Sequence, residues 1–195
     1  VPYQIVDIAS AFAPVPYAAQ RAGLAAGGRR YGFFEKPAGL GRDLMFHADA
    51  VPACGYRTYR LQIRADRPVF ACATVASGTA IESPWYRLEA DPRSGGIRSL
   101  IDRETGRELV DAGDGCPFGA LVVRAPTGDP EVSECQSVRV TEAGSERAAL
   151  RVVQAVTGHP RIEVVYTLSA RAKRVDVAVH LLKDPTPLLE TYLAF

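Results

Sequence analysis

The strongest constraint on this chain is a period of two in its apolar residues, which recurs along most of its length and sets side chains on alternate faces of a strand. In RIEVVYTLSA the residues Ile162, Val164, Tyr166 and Leu168 form one stripe, and in KRVDVAVHLL the residues Val175, Val177, Val179 and Leu181 form its partner. SVRVTE and AALRVVQAVT read as a second hairpin around Ala143-Gly144-Ser145. In WYRLEAD, Tyr86, Leu88 and Ala90 oppose Trp85, Arg87 and Glu89. In YRTYRLQIRA, Tyr59, Leu61 and Ile63 oppose Arg60, Gln62 and Arg64, and GALVVRA (Gly119–Ala125) is a short apolar strand. Helical spacing is scarce. Its one candidate is Pro16–Ala26, closed by Gly27 and Gly28, and this segment also reads as loop. The expectation is an all-β chain of antiparallel hairpins, each with one buried and one wet face.

A composition shift near ADRPVFACATVASGTA divides the chain. Residues 1–66 are expected to form one β unit, 67–80 a linker, and 81–195 a region of regular hairpins. Val1 begins inside a pattern, with no methionine and no signal-peptide core, and LLETYLAF stops inside an apolar strand-like run. The chain is therefore expected to be a piece of a longer protein. Its net charge of +1 gives no electrostatic case for nucleic acid or an acidic membrane surface. No apolar run reaches the length of about 18 residues that a membrane span needs. The 23 basic residues are almost all arginine, and there is no asparagine, so N-glycosylation within the chain is excluded. The Arg and Ala bias points to a GC-rich bacterial genome and, with no leader in view, to a cytoplasmic protein.

Groups able to do chemistry are plentiful, yet few are spaced for it. His47 and Asp49 in FHADAV have a metal-like H-x-D spacing without a third ligand nearby, which favours a solvated strand face. His159, before Pro160 at a turn, and His180, on the polar face of its strand, read as surface or supporting residues. Asp111 with Asp114, Glu131 with Glu134, and Glu89 with Asp91 are carboxylate pairs; a glycosidase needs two carboxyls held across a sugar, about 5–10 Å apart. Glu89 and Asp91 read instead as a charged solvent face. Cys54, Cys72, Cys116 and Cys135 form no C-x-x-C, and a zinc set or disulfides are less expected than buried free thiols. RSGGI is expected to be a hairpin turn with positive φ at Gly95 or Gly96. DRETGRE is a second, with Gly106 left-handed and Asp102 capping. No nucleophile elbow or reactive cysteine context appears. From the residues alone, no catalytic residue, cofactor-binding residue or metal ligand is assigned.

The thirty residues from Glu82 to Asp111, ESPWYRLEADPRSGGIRSLIDRETGRELVD, resemble the C-terminal half of glycoside hydrolase family 38, the α-mannosidases. Matching pieces are Ile81-Glu82, Trp85-Tyr86-Arg87-Leu88, Gly95-Gly96-Ile97, Ser99-Leu100-Ile101-Asp102 and Thr105-Gly106-Arg107-Glu108-Leu109, with Ser83 where the family usually has Asn. VPACGYRTYRL (Val51–Leu61), KDPTPLLETYLAF (Lys183–Phe195) and the opening VPYQIVD resemble further family segments, in order. The resemblance implies a small β-sandwich followed by the opening of a large supersandwich of the galactose-mutarotase type. It implies a parent chain that hydrolyses α-mannosides with retention: one carboxylate attacks C1, another acts as acid and then base. Zinc belongs, in that family, to an N-terminal β/α-barrel that this chain lacks. His47 and Asp49 lack the Gly-Trp context of the family's zinc motif, so the zinc role is not carried onto them. The segment itself is then expected to be non-catalytic, to brace the barrel and to line part of the sugar cleft. Trp85 is the candidate sugar contact and Tyr86 a core residue. The implied partner is an α-mannoside bound through the parent enzyme, and open sheet edges imply a homo-oligomer. Two alternatives belong to other classes: a carbohydrate-binding or interaction module working alone, and a mutarotase-like enzyme using His180 with Glu190.

Overall fold

A computed structural model describes residues 3–7, 42–62, 70–72, 74–111, 117–185 and 188–194. The described residues contain thirteen strands and no helix. In chain order these are β1 (Tyr3–Asp7), β2 (Arg42–Phe46), β3 (Val75–Ser77), β4 (Ala80–Glu82), β5 (Tyr86–Ala90), β6 (Ile97–Asp102) and β7 (Leu121–Arg124). They continue with β8 (Glu131–Val132), β9 (Glu134–Ala143), β10 (Arg147–Val156), β11 (His159–Ser169), β12 (Val175–Leu182) and β13 (Glu190–Leu193). All pairings are antiparallel. The four sheets run β1-β2, β3-β4-β5-β6, β13-β7-β8 and β12-β11-β10-β9. The described residues are thus all-β, as their alternation predicts, and of sandwich type. The helical candidate Pro16–Ala26 lies outside the described residues.

The long sheet carries the core. Ile162, Val164, Tyr166 and Leu168 of β11 are fully buried, as are Leu150 and Val152 of β10. Across from them, β4 and β5 contribute Ile81 and Leu88, and β7 contributes Leu121 and Val123. Each such side chain stabilises by roughly 1.5–3 kcal/mol on burial. The two stripes read from the sequence pair in register, Ile162 with Leu181, Val164 with Val179, Tyr166 with Val177 and Leu168 with Val175. Their burial is unequal, because β12 is the edge strand: Val177 and Leu181 keep 38% and 50% of their surface.

A buried polar chain ties the three larger sheets together. The Gln154 side-chain amide on β10 donates to the Gly95 carbonyl at 2.9 Å. Its carbonyl oxygen accepts from the Ser133 hydroxyl at 2.8 Å, and that hydroxyl accepts from the Leu121 backbone N–H at 3.1 Å. Gln154 is fully buried and Ser133 nearly so. Leaving either without its partner would cost about 1–3 kcal/mol. Gly95 sits at φ +76°, and a Cβ there would lie 2.7 Å from Gln154 Cγ and 2.8 Å from Val152 Cγ1. The Gly-Gly turn therefore does more than reverse the chain: it lets the β5–β6 turn be buried against β10. Gly96 has an ordinary φ, and its Cβ would meet the Phe118 carbonyl at 2.8 Å.

Three expectations change. Tyr56–Gln62 pairs with no strand among the described residues, although its alternation is regular. It is held instead by the Tyr59 ring, edge-on to Phe46 at 4.9 Å, and by Arg57 donating to the Asp49 carbonyl at 2.6 Å. Alternation marks two faces, but a strand also needs a neighbour to take its backbone hydrogen bonds. Cys54 and Cys72 are free but exposed and Cys135 is half-buried, so none of these three is a buried thiol, and Cys116 lies outside the described residues. His159, read as a surface or supporting residue, is not on the surface but fully buried. It opens β11 beneath β13, with Nδ1 3.3 Å from the Thr157 carbonyl and Nε2 3.4 Å from the Thr191 hydroxyl.

The N-terminal strand docks on the β9–β10 turn. The Gln4 side-chain oxygen accepts from the backbone N–H groups of Glu146 and Arg147 at 3.2 and 3.0 Å. Thr74 Oγ1 donates to the Gly144 carbonyl at 2.7 Å. Within the range read as linker, 67–80, the residues of β3 pair with β4.

Gly95→Ala is expected to lower unfolding free energy by about 2–4 kcal/mol, combining left-handed strain with overpacking. Gly106→Ala, at φ +68° with open space around it, is expected to cost only about 1 kcal/mol. Urea unfolding of both variants checks the order; equal losses would contradict the buried-turn assignment.

Candidate functional site

The stretch from Glu82 to Asp111 folds as β4 end, turn, β5, turn, β6 and a closing turn. Each of its turns is capped by a polar side chain. At the first, the buried Ser83 hydroxyl accepts from the backbone N–H groups of Trp85 and Tyr86, both at 3.2 Å. At the second, Asp91 accepts from Arg93 N at 3.0 Å and from the Ser94 hydroxyl at 2.8 Å. At the third, Asp102 accepts from Glu104 N at 2.9 Å and Thr105 N at 3.3 Å, next to the left-handed Gly106. Glu108 closes the segment: its carboxylate accepts from Ser99 Oγ at 2.5 Å and from Leu100 N at 2.7 Å. It also accepts from Leu109 N and Val110 N, both at 3.1 Å.

These bonds hold the carboxylates in their charged form. Burial pushes Asp91 up, but the donors of Arg93 and Ser94 outweigh it and the net shift is downward. Glu108 is likewise raised by burial and lowered further by Ser99, Leu100, Val110 and Leu109. Asp102 is lowered chiefly by the Lys173 ammonium, 2.8 Å away. Lys173 in turn is raised by Asp102 and Glu104 and lies 6.0 Å from the centre of the Tyr86 ring. Tyr86 packs against the core. None of these carboxylates is poised near neutral pH for proton transfer.

Trp85 sits in the turn between β4 and β5, half-buried. Its indole nitrogen is buried and has no acceptor among the described residues. Around this turn Arg103 donates to the Ser83 carbonyl at 2.8 Å, and Glu82 lies 3.5 Å from Arg87 and 3.8 Å from Arg103.

The other sequence candidates are scattered. His47 and Asp49 pair with each other at 3.2 Å on an open surface, and no group of three or more His, Cys, Asp or Glu side chains is placed to hold a metal among the described residues. Zinc takes at least three protein ligands, so this pair does not fit it. Glu89 and Asp91 do not share a solvent face: Glu89 pairs with Arg98, while Asp91 turns in to cap its loop. Glu131 and Glu134 are exposed on β8 and β9. Asp111 is exposed, and Asp114 lies outside the described residues. His180 lies cross-strand from Glu163 on the long sheet, whereas Glu190 belongs to β13 and accepts from the Tyr192 hydroxyl at 2.7 Å.

One feature was not singled out from the sequence. The outer face of the long sheet bears a recess of about 240 Å³ lined by Ser137, Arg139, Arg151, Val153 and Arg161. Arg151 forks onto Glu163 at 2.6 and 2.5 Å, and Arg161 reaches the same carboxylate at 3.4 Å. The Arg151 guanidinium holds Glu163 below the ordinary carboxylate range against the opposing effect of burial. The alternation of these strands shows that the arginines share a face, but the pairing register is needed to show that they meet.

A carboxylate depressed by folding adds stability above its unfolded pKa and loses it as pH falls through its folded value. With ordinary values of 3.8 for Asp91 and 4.5 for Glu108, stability is expected to hold to about pH 4.5 and decline below it. Glu108→Gln is expected to cost about 1 kcal/mol at pH 7, a figure discounted for its solvent exposure, and less at pH 3. Calorimetry at the two pH values checks this; a loss that grows on acidification would contradict it. Comparison of the chain with protein-family models gives no match, and comparison with curated proteins gives none.

Proposed function

We propose that this chain is a non-catalytic C-terminal β region of a bacterial, cytoplasmic α-mannosidase of the family 38 type. Its role is to brace a separate catalytic β/α-barrel, with Trp85 lining a wall of the sugar cleft. The observation that carries this reading is the capped architecture of Glu82–Asp111, the stretch that bears the family resemblance. Its acidic residues are occupied by backbone donors and by cations, so they serve as turn caps and not as acid–base groups. Ser83, at the family's Asn position, makes the turn-capping bonds that an Asn side-chain oxygen also makes. The half-buried Trp85 offers a ring to the C–H face of a sugar. The supersandwich topology belongs to the same proposal and is supported by the succession of antiparallel hairpins packed on one long sheet.

On this reading the parent hydrolyses α-mannosides with retention, and both the attacking carboxylate and the acid–base belong to the barrel. This chain's residues supply no bond-breaking step. They position and exclude water at one wall. Self-association is part of the same reading and is placed at the free edge of β12, where Leu181 and Leu182 are exposed.

Two measurements test the proposal. The purified chain, given an aryl α-mannoside and zinc, is expected to show no turnover above buffer. The gene's upstream sequence is expected to encode a β/α-barrel with a His-x-Asp motif. Hydrolysis that survives repurification, or an upstream region without such a barrel, would overturn it.

A further inference from the structure

The outer face of the long sheet contains an electrostatic arrangement that folding alone does not explain. Arg139 on β9 and Arg151 on β10 are direct cross-strand partners. Like charges in that position repel and destabilise a sheet. Arg161, one strand further on, adds a third positive charge to the same recess. One carboxylate, Glu163, answers two of them: it takes both oxygens to Arg151 and touches Arg161. Among the described residues the Arg139 side chain makes no hydrogen bond or ion pair. The patch therefore carries a surplus of two positive charges in a recess of about 240 Å³, on a chain whose net charge is only +1. The charge is concentrated at this place and is not a general basic surface.

Guanidinium groups present forked donors that match the oxygens of phosphate. Arg151 is fixed in orientation by Glu163, and Ser137 adds a hydroxyl at the rim of the recess. A recess this size holds one phosphate group and a small substituent, which a flat basic surface would not select. We propose that this recess binds a phosphate-type dianion, free or as a small phosphomonoester, with Arg139 and Arg161 supplying the unneutralised charge and Arg151 the preset fork. The inference is independent of the α-mannosidase reading, because it uses none of the residues in Glu82–Asp111.

The test is calorimetric titration of the chain with inorganic phosphate and with a hexose 6-phosphate, at fixed ionic strength in chloride. Saturable binding is expected, weakened about tenfold or more in Arg139→Gln and unchanged in Arg98→Gln on a different sheet. Melting temperature gives a second readout. Without phosphate, Arg139→Gln is expected to melt no lower than wild type, because a like-charge pair has been relieved. With saturating phosphate, the wild type rises and the variant does not. Tighter binding of the ester assigns a phosphomonoester ligand, and equal binding assigns phosphate itself; both support the site. No saturable binding, wild-type affinity in Arg139→Gln, or an equal effect of matched chloride would overturn it.

Discussion

The hydrogen-bond chain through Gln154 is the constraint on which the other contacts depend. A buried amide with no water must place both its donor and its acceptor on the protein. Gln154 does so by reaching the Gly95 carbonyl in one direction and the Ser133 hydroxyl in the other. Those two partners lie in the β5–β6 turn and just before β9, and Ser133 passes the link to Leu121 on β7. Apolar packing alone tolerates sliding of one sheet over another. This chain does not, because any slide orphans a buried polar group. Backbone bonds from Cys135 to the Arg93 carbonyl at 2.8 Å and from Ile97 to the Phe118 carbonyl reinforce the same junction.

Around that junction the two faces of the long sheet have separate tasks. The inner face is apolar and closed by the shorter sheets. The outer face carries charge, with Arg147 paired to Glu142 at 2.5 Å near one end and the three arginines around Glu163 in the middle. The Glu82–Asp111 hairpins sit on the inner side, where their aromatic and branched residues enter the core and their acids cap the turns. The proposed bracing and the proposed anion binding draw on opposite faces, so a change in one need not disturb the other.

Much of this was legible from residue order. Alternation in β10, β11 and β12 gave both the strands and the matching stripes, because the side-chain period of a strand is imposed by backbone geometry. Gly95-Gly96, Gly106 and Asp102 marked the turns, because few residues accept positive φ or bond back to a nearby N–H, and the structure puts the positive φ at Gly95. Tyr56–Gln62 shows the limit: its period is right, but pairing depends on a neighbour that local sequence does not name. His159 shows another, since a histidine beside a Pro at a turn looks exposed until β13 is laid across it. Trp85, nominated for sugar contact from its chemistry, occupies a turn whose Ser83 cap and buried indole nitrogen are seen only in the folded chain.

By itself, the sequence determined the class of fold, the hairpins and the turn chemistry, since all three follow from interactions over a few residues. Tertiary structure decided which strands became edges, which polar groups were buried together, and that arginines from three strands share one recess. Those outcomes rest on register and on contacts between residues far apart in the chain. Arg139, Arg151 and Arg161 are unremarkable as letters, and Glu163 looks like one more surface acid. Only the pairing of β9, β10 and β11 sets three positive charges against a single negative one.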